Sequence, residues 1–389
     1  MRNRTNLGSP LELVTGRGAE MKVAIFGPAQ VSGLGGGNAR FLRGVCRELI
    51  ARAHDVTLYP PQQPIDIARA LEGVDVALVH DVTAPELVRR IRLHHASNGD
   101  YCLLFYDTHE REASAPPELR RFNLAGFDGV LGAGEVITQT YLARGWDSRV
   151  WTWHEAADTR SYAPHPGAAR TADVVWIGDR HDLGASQDLG ILVLEPARRL
   201  GLTGVIHGEQ YPWRARLAIQ RSGLRYGGPL AEHLVPAVWA RHRFTVALTR
   251  LRHTLPGIPQ TRVFEALASG IPLICTPWDD AEAMFTPGRD YLVARDQREM
   301  EAAMRNLRSD RAMAAELAEQ GRATVQERHT CAHRVDELLA IIALLRAGSR
   351  ETAGALAAPA RARLHGFSRK VGENSSDSDY GSTRQVGAR

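Results

Sequence analysis

Lysine is almost absent from this 389-residue sequence, where Lys22 and Lys370 are the only two. Any side-chain clamp for phosphate must therefore be built from arginine, or from charged histidine. Cysteine is nearly as sparse: Cys46, Cys102, Cys275 and Cys331 stand far apart, three of them inside apolar stretches. That spacing supplies neither a metal-ligand set nor a disulfide framework, and it implies a reducing, cytoplasmic setting. No uninterrupted apolar run approaches a membrane span, and the first residues lack the apolar core of a signal peptide. A basic body is missing as well. The formal net charge is +4, yet residues 346–389 hold eight basic and four acidic residues, and residues 1–20 hold three and two. The body between them carries one more acid than base, which argues against a nucleic-acid-binding face. An Asp-x-Asp pair, a common bridge between a divalent cation and a diphosphate, occurs only at Asp377-Ser378-Asp379 in the tail. Asp279 and Asp280 are adjacent and poorly placed to share an ion, so neither a metal nor a cofactor is expected.

What is present is alternation. Residues 1–20 show no period and read as a disordered extension, and Met21-Lys22-Val23-Ala24-Ile25-Phe26-Gly27 reads as a first buried strand. Further strands are predicted at 55–59, 75–80, 101–106, 128–132 and 149–153, with helices between them. A Pro- and Ala-rich crossing at 154–170 leads to a second series, which starts at 173–178 and continues near 203–207, 224–227, 243–248, 271–275 and 290–294. Short apolar runs separated by helices predict parallel sheets. At this length two cores are the default. The predicted fold is α/β, with two Rossmann-like doubly wound domains, 21–160 and 161–345, facing a central cleft. Residues 346–389 turn to Gly, Ser, Ala and Arg, a composition that predicts a disordered basic tail.

The densest signal lies between Leu255 and Trp278. A turn containing Pro256, Gly257 and Pro259 opens into a short helix carrying Glu265; Gly270 stops it, and Ile271–Cys275 reads as a buried strand. Amides at such a helix start suit an anion. Glu265, one turn further in, suits a pair of sugar hydroxyls. Together they fit a nucleotide diphosphate sugar, with phosphate on the amides and ribose on the carboxylate.

The same residues resemble the donor-binding motif of glycosyltransferases with the two-Rossmann-domain GT-B architecture, the glycosyl transferases group 1 family. There a Phe-Glu-Ala-Leu-Ala-x-Gly-x-Pro helix carries a ribose-binding glutamate. The flanks, Leu255-Pro256-Gly257-Ile258-Pro259 and Phe285-Thr286-Pro287-Gly288, look most like the spore-maturation-type (CgeB-like) branch. The resemblance implies a donor site formed by Glu265, Gly257, Ile258, Pro259, Gln260, Thr261 and Arg262. It also implies a cation on the diphosphate from the loop after the second domain's first strand, where Arg180 is the candidate and Arg250, Arg252 and Arg262 are alternatives. One departure stands out: related retaining enzymes carry a second glutamate eight positions before the ribose-binding one, where this chain has Gly257.

Three further clusters fall at strand ends. Ser32–Asn38 is a glycine-rich loop between the first strand and its helix, with Gly35, Gly36, Gly37 and Asn38 nearest the helix. Its spacing misses the dinucleotide fingerprint, and the second strand ends Leu58-Tyr59-Pro60-Pro61 without an acid, so a nicotinamide site is disfavoured. In GT-B enzymes the equivalent loop touches the donor and the acceptor. Asp107-Thr108-His109 closes the apolar strand Cys102–Tyr106 and resembles the branch's Asp-Thr-His segment, in which the histidine approaches the transferred sugar. Asp107 and His109 are therefore the catalytic candidates. Trp151–Arg160, with its His-Glu-Ala-Ala-Asp-Thr run, falls where the first domain hands over to the second.

The expected function is sugar transfer from a nucleotide diphosphate sugar to a carbohydrate or other acceptor. The expected mechanism is metal-independent and, by resemblance, retaining. A sugar-nucleotide epimerase of the same shape and a non-catalytic sugar-nucleotide-binding homologue remain open. The sequence names neither the sugar, the base, the acceptor nor the oligomeric state.

Overall fold

The first sheet is assembled from β1 (Leu11–Leu13), β2 (Lys22–Phe26), β3 (Asp55–Tyr59), β4 (Val76–His80), β5 (Cys102–Asp107), β6 (Gly129–Gly132) and β7 (Val150–Thr152). Their spatial order is β1-β3-β2-β4-β5-β6-β7. The computed structural model from which this is read describes residues 11–13, 20–28, 36–61, 64–108, 122–146, 149–178, 186–248 and 258–348. All neighbours in the sheet are parallel except β1, which runs antiparallel to β3. Reading residues 1–20 as an extension overlooked β1. Three residues are too few to show a period, and β1 is a strand only through its pairing with β3.

The second sheet contains β8 (Ala172–Ile177), β9 (Gly204–His207), β10 (Arg225–Gly228), β11 (His242–Ala247), β12 (Leu273–Cys275) and β13 (Leu292–Val293). It is parallel throughout, in the order β10-β9-β8-β11-β12-β13. Side chains on a strand alternate between faces, and here both faces are dry. Val174, Trp176, Phe244, Val246 and Ile274 join one core, while Val175, Ile177, Ala247, Leu273 and Cys275 join the other. This burial on both sides explains why the strands read as unbroken apolar runs. The chain is thus a two-domain, doubly wound α/β protein.

Each sheet reverses its winding once, between β2 and β4 in the first and between β8 and β11 in the second. Crevices beyond the carboxyl ends of strands at such points are where open α/β sheets take ligands. The helix Gly37–Ala51 follows β2 and buries Phe41, Leu42, Val45, Cys46 and Leu49. Gly44 lets it close on its neighbours, because a Cβ there would lie 2.6 Å from Cys331 Sγ and 2.8 Å from Asp158 Cβ.

The crossing after β7 is tied to residues 329–334. Ala157 donates to the His329 carbonyl (3.0 Å), Cys331 N donates to the Ala157 carbonyl (2.9 Å), and Trp153 Nε1 donates to the Arg334 carbonyl (2.8 Å). Both sheets lie in one compact unit, Met1–Leu338, and Leu339–Arg389 forms another. All four cysteines are buried. Burial pushes the Cys46 thiol up to about 12 and raises those of Cys275 and Cys331 further. Among the described residues no helix is long and apolar enough to cross a membrane.

Candidate functional site

The helix Thr261–Ala268 starts after Gln260, whose backbone is extended (φ −65°, ψ 140°) and whose side chain makes no cap. Val263, Phe264, Ala266, Leu267 and Ala268 sink into the second domain's core. Gly270, at φ +67°, ends the helix in the left-handed region that glycine tolerates. Pro259 is buried, and Ile258 and Gln260 are half-buried. Glu265 is held among these apolar neighbours with only 1% of its surface exposed.

A carboxylate so deep requires a partner. Arg40, from the first domain's helix, supplies it: its Nε stands 2.5 Å from Glu265 Oε1, and it is itself 5% exposed. Arg262 Nη1 lies 3.1 Å from Oε2, and its guanidinium packs 5.7 Å from the centre of the Trp239 ring. Burial is the largest single influence and would lower the Arg40 pKa, but the charge and hydrogen bond of Glu265, together with Tyr162 and Glu232, hold the guanidinium above its ordinary value. Tyr162 is buried beside the pair, and burial together with Glu265 raises its phenol well above the usual range. Arg43 and Arg47 continue along the same helix, reaching Glu232 and Asp158. Three arginines at positions i, i+3 and i+7 share one helical face, and that face grips carboxylates from the later part of the chain.

The starts of two helices meet here. A Cβ on Gly37 would stand 2.5 Å from Thr261 Oγ1, and one on Gly134 would stand 2.5 Å from Ile258 Cγ1. The Thr261 hydroxyl donates to Glu155 Oε2, which brings a carboxylate to the turn expected to take an anion. Such a position is favourable for negative charge. Glu282 closes the far side, accepting from Glu135 N (2.8 Å) and contacting His154 Nε2 (2.5 Å). Asp280 nearby accepts from the Met284 and Phe285 amides, and burial raises its pKa against those bonds.

On the first-domain side, Asn38 Nδ2 donates to Thr108 Oγ1 (3.1 Å), while Thr108 N donates to Asp81 Oδ2 (3.0 Å). The glycine-loop end and the Asp-Thr-His segment are therefore joined at the ends of β4 and β5. Asp107 itself is fully buried and accepts from the Tyr141 hydroxyl at 2.9 Å. Its carboxylate is engaged inside the first domain. His109, Arg180, Gly35 and Gly257 lie outside the described residues, as do Arg250 and Arg252. Gly36, Gly37, Asn38, Ile258, Pro259, Gln260, Thr261, Arg262 and Glu265 gather at the seam between the domains.

Arg40 was not singled out by sequence reasoning. Arg40 sits two residues after Asn38, between the apolar Ala39 and Phe41, and that interruption is the signal that could have found it. Glu155 falls within the His-Glu-Ala-Ala-Asp-Thr run, but nothing local shows that it meets Thr261.

Residues 189–340 match the model of the glycosyl transferase-like family. No curated protein matches the chain at the sequence level. Among solved structures, HepE of Anabaena in complex with UDP and glucose is 13% identical, with a TM-score of 0.57 over 83% of this chain and 99% of that one. A glycosyltransferase from Rickettsia africae is 12% identical, with a TM-score of 0.62 over 84% and 98%. AviGT4, a glycosyltransferase involved in avilamycin A biosynthesis, is 16% identical, with a TM-score of 0.59 over 84% and 98%. At these identities the likeness is one of fold.

Proposed function

We propose that the chain, which has the GT-B architecture and a glycosyl transferase-like segment at 189–340, is a glycosyltransferase that moves a sugar from a nucleotide diphosphate sugar to a separate acceptor. The observation that carries this reading is the seam where the helix bearing Glu265 meets the first domain's glycine-loop helix. The second domain, 161–345, binds the donor, with the ribose diol on Glu265 and the diphosphate at the start of the Thr261–Ala268 helix. The first domain, 21–160, takes the acceptor beside Asn38, Thr108 and His109. HepE was solved with UDP and glucose, which supports a donor of that class. The departing diphosphate is stabilised by arginines and amides, an electrostatic contribution. By resemblance the anomeric configuration is retained, and the reaction runs in the cytoplasm.

Incubation with UDP-, GDP- and dTDP-sugars, scoring transfer, hydrolysis and epimer formation separately, tests the reaction. Epimer without transfer would replace this reading with an epimerase; binding without turnover would replace it with a non-catalytic homologue. Glu265→Gln is expected to weaken nucleotide binding by about 1.5–3 kcal/mol, the range for a hydrogen bond to a charged group. Unchanged affinity in a folded variant would remove Glu265 from the donor site.

The absence of an Asp-x-Asp pair from the body supports transfer without a metal. Chelator should leave the rate intact, whereas Arg180→Ala should lower it about tenfold, near 1.4 kcal/mol of transition-state stabilisation. Loss of activity with chelator, restored by manganese or magnesium, would sink the metal-independent mechanism.

A further inference from the structure

The Arg40–Glu265 pair raises a question of charge. Glu265 Oε1 is taken by Arg40, and Oε2 accepts no hydrogen bond although Arg262 Nη1 is 3.1 Å away. A ribose diol that engages both oxygens of this carboxylate has to take Oε1 from Arg40. The displaced guanidinium cannot stay buried alone, because removing one partner from a buried pair leaves an uncompensated charge. It needs another anion close by.

We propose that Arg40 is a donor-binding residue that exchanges partners, neutralising Glu265 in the empty protein and moving onto the donor's diphosphate when the ribose diol occupies Glu265. This rests on the reading of Glu265 as the ribose carboxylate. Three observations support the exchange. A Cβ on Gly37 would lie 2.5 Å from Thr261 Oγ1 and 3.9 Å from Arg40 Nη2, so the Arg40 guanidinium stands beside the helix start assigned to phosphate. That turn already holds the Glu155 carboxylate, so two phosphates arriving there call for added positive charge. The Tyr162 hydroxyl, on a side chain 2% exposed, is buried beside the pair without a hydrogen-bond partner, and it is available to whichever group moves.

The rest of the helix stays in place during the exchange. Arg43 remains on Glu232, and Arg47 on Asp158 and Ser161. The movement is thus a swing of one side chain. Every charge has a partner before and after: carboxylate with guanidinium becomes carboxylate with diol and guanidinium with phosphate.

The test is a titration of the full chain with UDP and GDP and, in parallel, with uridine and guanosine, which carry the diol but no phosphate. Arg40→Gln should weaken the diphosphate about tenfold and strengthen its nucleoside severalfold, because the competitor for Glu265 and the phosphate contact are lost together. Arg40→Lys, which keeps the charge and covers the case of a Gln variant that fails to fold, should shift both in the same opposed directions by less. Both ligands weakening would make Arg40 a scaffold residue, and both tightening would make it a plug that never touches phosphate. Either result overturns the exchange. Glu265→Gln separates the premise: if it changes neither ligand, the ribose reading falls whatever Arg40 does. Failure of both diphosphates to bind the wild type overturns the nucleotide reading and the exchange with it.

Discussion

Trp153→Ala should lower the unfolding free energy by about 3–5 kcal/mol, the range for removing a large buried aromatic ring. Trp153 is fully buried, with its ring centre 5.1 Å from Phe41 and 4.9 Å from Tyr106, both edge-on. Its backbone N donates to the Gly132 carbonyl (2.7 Å) and its indole N–H to the Arg334 carbonyl (2.8 Å). One residue thus fastens the end of the first sheet, the helix Gly37–Ala51 and the segment at Arg334. Truncation leaves a cavity and an unpaired carbonyl together. Trp153→Phe keeps a ring and loses only part of the volume and the N–H, so its cost should be smaller, about 1–2 kcal/mol. Guanidinium midpoints at unchanged slope would measure both. A loss below about 1 kcal/mol for the alanine variant would show that the three elements do not depend on this residue.

Acid sensitivity with an identifiable source is the second expectation. The His329 ring is packed against Phe264 and Phe285, at centroid separations of 5.7 and 5.0 Å, and its Nε2 contacts the Met284 carbonyl (3.1 Å). Its Nδ1 is buried without a partner. Burial, aided by Arg334 and more weakly by Arg328 and His154, lowers its pKa to about 3. A histidine unfolds to a pKa near 6.5, so between these values the unfolded chain binds the proton and the folded one refuses it. Stability from this group is complete above pH 6.5 and is lost as pH falls towards 3. The arithmetic gives a loss of about 2 kcal/mol by pH 5. His329→Asn keeps a donor for the Met284 carbonyl and removes the titration. Its stability should therefore change less between pH 7 and 5 than that of the wild type, even though its absolute stability is lower. Parallel pH profiles for the two proteins would refute the assignment.

The two sheets were legible because their strands are buried on both faces. Val23–Phe26, Val76–Val79 and Cys102–Tyr106 carry little but apolar residues, and such runs survive without any knowledge of partners. β1 was illegible for the opposite reason, being defined by β3 alone. In the candidate site, the helix from Thr261, its stop at Gly270 and the placing of Glu265 on it followed from turn residues and period. The partners of Glu265 did not. Arg40 is 225 residues away, and its pairing depends on how two domains meet, which no local pattern records. Asp107 shows the same limit from the other side. Its strand-end position was readable, whereas its hydrogen bond from Tyr141 was not.

The burial of Cys46, Cys102, Cys275 and Cys331 makes the native protein quiet towards thiol reagents, since the attacking species is the thiolate and access to it is closed. A single cysteine introduced on an exposed position of each domain would then be modified selectively. A pair of dyes placed that way would report the separation of the two sheets in solution, with and without nucleotide, on a background free of native labelling.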